Sequence, residues 1–311
     1  MLENQNREEK MARAEASPGR AGYYLYLVPG ALGFLAIVAV PICANFYISL
    51  LNWRGIGKAH FAGLHNYDLL IHDQMFWGSM IHTALFIISM TVVPTVLGLI
   101  LAAVLFDYIS VQFKVGLSSF MRATFYLPQI LPVTAAGLLW GWILSPIGIT
   151  NAVLKAIGLG ALAQNWLGDP NWALPAVSAV IVWVQVGYCL VVFMAGLARI
   201  DPSLYEAAEL DGANWWARFI HITITMLAPE IFVVVLTTVI ASLKVFAPIY
   251  VLTSGGPNNA TLVPSSLTYY HFFTTNRVGY AASIAVVQTL ITIILGIIFL
   301  RAQSRQTESE A

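Results

Sequence analysis

Charge is missing from this chain in long blocks, and the length of those blocks limits what it can fold into. Residues 21–53, 74–106, 123–154, 170–198 and 278–300 contain no Asp, Glu, Lys or Arg, and residues 231–276 carry Lys244 alone, with a polar break over residues 253–261. A helix crosses the bilayer core with about 20 apolar residues, whereas a barrel strand needs about ten with strict alternation, which these runs lack. The 311 residues are 59% hydrophobic and 10% charged, with a mean hydropathy of +0.76. Soluble domains are about 25% charged. The expected fold is therefore all-α and integral to the membrane, with six transmembrane helices. The first run is too long for a signal-peptide core and has no A-x-A cleavage site, so it reads as a retained span over residues 23–52. Residues 1–22 and 302–311 read as polar tails, and residues 74–301 as the five-helix remainder.

Orientation follows from lysine and arginine. The first tail, the loop with Lys114 and Arg122, the loop with Arg199 and Arg218, and the end with Arg301 and Arg305 hold ten of them. The alternate loops hold four, namely Arg54, Lys58, Lys155 and Arg277. Positive charge stays inside, which predicts cytoplasmic termini in a cell (inner or plasma) membrane and a cytoplasmic loop over residues 199–225.

That loop is the most polar stretch between spans. Asp201 suits a helix N-cap and Pro202 the first helical position, where its missing N–H is no loss. Glu206-Ala207-Ala208-Glu209 follows, Gly212 permits a turn, and Trp215, Trp216, Phe219 and Ile220 give a second short helix an apolar side. A small, acidic helical tip beside a membrane suits a soluble docking partner.

Glu206-Ala207-Ala208, Gly212 and Ile222 match, in type and spacing, the EAA loop of permease subunits of ATP-binding-cassette importers, which this chain resembles. It departs at Ile224-Thr225, where that family has leucine and proline, with Pro229 coming later. A second stretch, Leu252-Thr-Ser-Gly255-Gly256-Pro257-Asn-Asn-Ala-Thr261, is similar to the L-T-x-G-G-P-x-N-A-T turn of sugar permeases of the maltose and glycerol-phosphate type. Tyr26-Leu-Val-Pro-Gly30, Phe61-Ala-Gly-Leu-His-Asn-Tyr67 and Arg122-Ala-Thr-Phe-Tyr-Leu-Pro128 agree with it. The resemblance implies the type I importer permease fold, with Glu206, Ala207, Ala208 and Gly212 as the coupling element and Gly255, Gly256 and Pro257 as an external turn. It also implies a second permease of the same kind (a heterodimer), two ATP-binding subunits using ATP and Mg, an extracytoplasmic solute-binding protein, a carbohydrate substrate and the lipid bilayer. Nucleic acid is not implied.

No G-x-x-x-x-G-K-[ST], H-E-x-x-H or C-x-x-C motif occurs, so the chain itself is expected to hydrolyse nothing and to hold no cofactor or metal. Cys43 and Cys189 lie in apolar runs and read as buried structural thiols. Gly116-Leu-Ser-Ser119 has no base in register and reads as solvated serines. Lys244 is read as a charge inside a span, on one helix face with Thr237, Ala241 and Pro248; that costs roughly 2.5–3.5 kcal/mol at a helix centre, so it should meet a wet cavity or a partner. Gln129, Gln185, Tyr188 and Gln288 are further polar points, and Trp140, Trp142, Trp183 and Phe246 offer flat faces to a sugar. A secondary transporter would carry an inverted repeat and paired broken helices; a membrane scaffold would need no acidic docking loop.

Overall fold

A computed structural model describes residues 20–106 and 115–310, with side chains over 26–106 and 120–302. Lys114, most of the first tail and the side chains of residues 116–119 lie outside the described residues. Four apolar runs are single helices long enough to cross a membrane: Tyr26–Ser49, Gln74–Val104, Pro170–Leu197 and Val278–Ala302. The other two depart from the one-run-one-helix expectation. The third is divided into Val115–Ile130 and Val133–Ile143, because Pro132 brings no N–H and pushes Leu131 out of helical geometry. The fifth, Ala228–Leu243, is bent by 69° from the preceding Trp215–Met226. Leu227 is fully buried at that bend and Pro229 sits in the first turn beyond it, near where the EAA family keeps its own leucine and proline.

Acids that bound the charge-free runs act as helix caps. Asp73 accepts from the Met75 N–H at 2.8 Å and Asp169 from the Asn171 N–H at 2.8 Å, which starts the second and fourth spans. Those two helices run parallel, since Ser89 bonds Ser178 at 3.3 Å and Gly98, further along, abuts Cys189. A Cβ on Gly98 would stand 2.6 Å from the Cys189 Cβ, so glycine there sets the close approach. The fifth span is antiparallel to the fourth, with Thr237 against Tyr188 (3.1 Å) and Glu230 beside Gly196. It is antiparallel to the sixth as well, with Leu243 bonded to Gln288 and Phe232 against Phe299. Phe86, Leu190, Phe193 and Val234 are fully buried in this centre. The first span packs on the sixth through Val40–Ser49, while from Tyr26 to Ala39 all residues but Gly33 and Ala39 are exposed. Cys43 is exposed as well, so only Cys189 is the buried thiol expected of both.

One end of the bundle is tied by its loops. Leu51–Asn52 pairs antiparallel with His60–Phe61, and buried Asn66 donates to the Ser49 and Leu51 carbonyls at 2.8 and 2.9 Å. The Gly279 N–H donates to the Trp53 carbonyl, the Tyr280 hydroxyl to Asp73, and His82 Nδ1 meets the Leu262 carbonyl. The loop over residues 198–229 lies at the other end.

Candidate functional site

The loop at that other end is a braced pair of helices. Asp201 caps Pro202–Leu210 by accepting from the Ser203 N–H at 2.9 Å, and that backbone bond holds its carboxyl below the ordinary range. Gly212, at φ +80°, takes the left-handed conformation that ends the helix. Asn214 then caps Trp215–Arg218. Arg218 donates to Glu209 at 2.8 Å and the Tyr205 and Thr223 hydroxyls meet at 3.0 Å, so each helix holds the other. Trp215 stacks on Phe219 at 5.0 Å and packs into the core. At the base, Arg199 pairs with Glu230, whose side chain is only 11% exposed. Glu206 and Ala207 face outward, and Leu210, 88% exposed, adds an apolar knob to the tip.

At mid-depth the fifth span stops. Lys244 is the residue that caps Ala228–Leu243 at its C-terminal end, and it is exposed; it is not inside a helix, as its spacing with Thr237 and Ala241 had suggested. Its position has a physical reason: a cation at a helix C-terminus meets the negative end of the helix dipole. Pro248 opens the next helix, Ala247–Leu252, and the carbonyls freed between are taken up by neighbours. Ser265 donates to the Val245 carbonyl and the Gln288 amide to the Leu243 carbonyl, both at 2.5 Å. Beside the break lies a cavity of about 360 Å³ lined by Gln185, Ala241, Lys244 and Phe246, with Ala136 and Gly137 of the divided third segment opposite. From Phe246 a line of rings leads away from the Glu206 end: Tyr250 at 5.3 Å, then Tyr269 at 5.1 Å, then Phe273 at 4.8 Å.

The structure thus brings Gln185, Lys244 and Phe246 together, with Tyr188 one turn away on Thr237. It does not bring Gln288 to the cavity, because that amide is spent on a backbone carbonyl. Gln129 sits one residue before the third segment's helix ends, with its Oε1 buried and unpartnered among the described residues. Trp140 and Trp183 pack edge to face at 5.4 Å, and Trp142 is 74% exposed. In the turn, Gly255, Asn258 and Asn259 all take positive φ. Threonines hold it: Thr253 bonds Thr261, which donates to the Gly256 carbonyl at 2.9 Å.

A family profile described as "Binding-protein-dependent transport system inner membrane component" matches residues 77–308. The chain belongs to that family. Among its relatives, the probable ABC transporter permease protein YurN of Bacillus subtilis is 39% identical over 276 residues, covering 88% of this chain and 93% of YurN. The lactose transport system permease protein LacF of Rhizobium radiobacter is 32% identical over 290 residues, covering 91% and 94%. Among solved structures, a bacterial alginate ABC transporter in complex with an alginate pentasaccharide-bound periplasmic protein superposes with a TM-score of 0.78 at 22% identity, covering 92% of this chain and 94% of that one. The fold of this inner membrane component is therefore that of an ABC importer permease. Its two broken segments are the feature a secondary transporter would also show, and family membership separates the two.

Three features of this permease were not read from the sequence. The ring line was present as two i, i+4 pairs, Phe246/Tyr250 and Tyr269/Phe273, split by the glycine turn. Glu230 borders an apolar run, and nothing local ties it to Arg199, 31 positions earlier. Leu210 is one apolar residue among many in sequence, and only its 88% exposure sets it apart.

Proposed function

We propose that this chain is one permease half of an ATP-driven importer of a sugar or related polyol, delivered by an extracytoplasmic solute-binding protein. Membership of the binding-protein-dependent family carries the reading, and the lactose permease among its relatives supports the substrate class. The second permease and two ATPase subunits complete the assembly, so hydrolysis belongs to them and not to this chain. Glu206, Ala207, Ala208 and Gly212 form the element that enters the ATPase, with both termini and this loop cytoplasmic. ATP-driven closure of the ATPases pushes such loops together, and the bundles rock as rigid bodies. Because the loop is cross-braced and fixed at its base, a push on Glu206 is passed to the fourth and fifth spans. Those spans carry Gln185, Lys244 and Phe246, which line the substrate path, with the rings from Tyr250 to Phe273 leading in from outside. Sugar faces stack on such rings while hydroxyls bond the amide and ammonium.

Two experiments test this. Cysteines placed at positions 212 and 256 in a cysteine-free background, treated on intact cells with an impermeant thiol reagent, should react at 256 and not at 212; the opposite pattern overturns the orientation. Reconstituted with the neighbouring reading frames, the permease should take up sugar only with ATP and binding protein. Uptake driven by an ion gradient alone would restore the secondary-transporter reading.

Lys244→Met keeps the apolar stem and removes the charge. Assembled complex should be recovered at wild-type yield, and uptake should fall roughly threefold to tenfold, the worth of one hydrogen bond of about 1 kcal/mol. Normal uptake of every sugar tried would remove Lys244 from the path.

A further inference from the structure

A second cleft, of about 450 Å³, opens at the end opposite Glu206, and the transport path described above does not use it. Asn52, Arg54 and His65 wall it on one side and Thr275, Arg277 and Tyr280 on the other. Its floor is rigid: the Gly279 N–H bonds the Trp53 carbonyl, and Asn66 bridges two carbonyls of the first loop. A side chain at position 279 would run into the Leu51 carbonyl, so the two walls are held at one spacing. Arg277 lies over the Tyr280 ring, its guanidinium carbon 4.8 Å from the ring centre. Asp73, which reaches the same tyrosine, is already engaged, since its two oxygens accept from the Met75 N–H and the Tyr280 hydroxyl. Neither Arg54 nor Arg277 stands within ion-pair distance of a carboxylate among the described residues. The cleft therefore presents two guanidinium groups with their hydrogen-bonding forks in no direct ion pair, and that fork geometry matches a carboxylate.

We propose that this cleft receives an Asp or Glu side chain of the solute-binding protein and so seats that protein over the outer mouth of the path. The inference rests on the permease reading and its orientation. Placement favours a docked protein over a free anion, because Phe273, the outer ring of the aromatic line, stands only two residues before Thr275 on the cleft wall. A protein held by Arg54 and Arg277 lies where it can release its sugar onto those rings.

The test uses the assembled transporter in nanodiscs with its own binding protein, reading ATPase rate against binding-protein concentration at low and high salt. Arg54→Gln and Arg277→Gln should each raise the half-saturating concentration roughly threefold to tenfold at low salt and flatten its salt dependence, with the saturated rate unchanged. Arg277→Lys, which keeps the charge but loses the fork and the contact on Tyr280, should keep the salt dependence while recovering only part of the loss, and so separates charge from geometry. Wild-type half-saturation in the double Gln variant at low salt would overturn the proposal. So would a lower saturated rate with unchanged half-saturation, which places the cleft in the conformational cycle. Altered preference between glucuronate and glucose with unchanged half-saturation would assign the cleft to substrate, and this too overturns docking. If wild type itself shows no stimulation by binding protein, the permease reading fails first and docking with it.

Discussion

Glu206→Lys is expected to abolish ATP-driven uptake while the protein still accumulates in the membrane at close to the wild-type amount. Glu206 is exposed and makes no ion pair among the described residues, so reversing its charge removes nothing that folds the loop. The helix keeps its Asp201 cap, its Tyr205–Thr223 bond and the Arg218–Glu209 pair. On the proposed function, what changes is the face offered to the ATPase subunit. A groove suited to an acidic tip would meet a lysine instead, and like charges brought together at an interface cost several kcal/mol. At about 1.4 kcal/mol per tenfold, that places uptake more than roughly a hundredfold down. Co-purification of the ATPase and uptake into vesicles measure the two halves of this expectation. Wild-type uptake with the lysine variant would end the docking role of the loop.

The second large effect is an asymmetry at the base of the loop. Arg199 is 71% exposed and Glu230 is 11% exposed, although they form one ion pair. Removing Glu230 as Glu230→Gln leaves a guanidinium that water can solvate. Removing Arg199 as Arg199→Ala leaves a carboxylate in a crowded site, where the Cβ of even an alanine at position 196 would press on Glu230. An unpartnered buried charge costs about 1–3 kcal/mol or more, so Arg199→Ala should lower thermal stability and complex yield well beyond Glu230→Gln. On the proposed function, complexes assembled with either variant should move less sugar per ATP hydrolysed by the ATPase subunits, because the loop's push would no longer reach the start of the fifth span. Equal stability of the two variants would contradict the burial difference, and normal coupling in both would remove the pair from force transmission.

Run length made the spans legible, because crossing a bilayer is a requirement on length and polarity alone. The Asp201 cap was legible too, since capping is local; Asp73 and Asp169 cap in the same way but stood in the sequence only as the ends of charge-free runs. The breaks were not. Thr237, Ala241, Lys244 and Pro248 share a helical spacing whether or not the helix stops at Leu243, and periodicity carries no information on that point. Pro132 marked the other break more openly, three residues before the first Ala of Ala135-Ala136. The cavity residues were partly legible as polar points in apolar runs, yet Gln288 shows the limit of that signal. A membrane protein also spends polar side chains on its own irregular backbone, and only the neighbour's geometry tells the two uses apart. Contacts such as Tyr280 to Asp73, 207 positions apart, are beyond any local pattern.

The parallel packing of the second and fourth spans has a consequence for how this chain is made. Two helices that point the same way cannot be joined by a short turn, and here residues 105–169 lie between them. At roughly 5–20 residues per second, the second span waits several seconds after its own synthesis for its mate. For that time the face around Gly98, built for the close approach of Cys189, rests on lipid. The ribosome has thus delivered half the chain before the central contact exists, and those seconds are when the nascent permease is most open to capture by other helices or to membrane proteases.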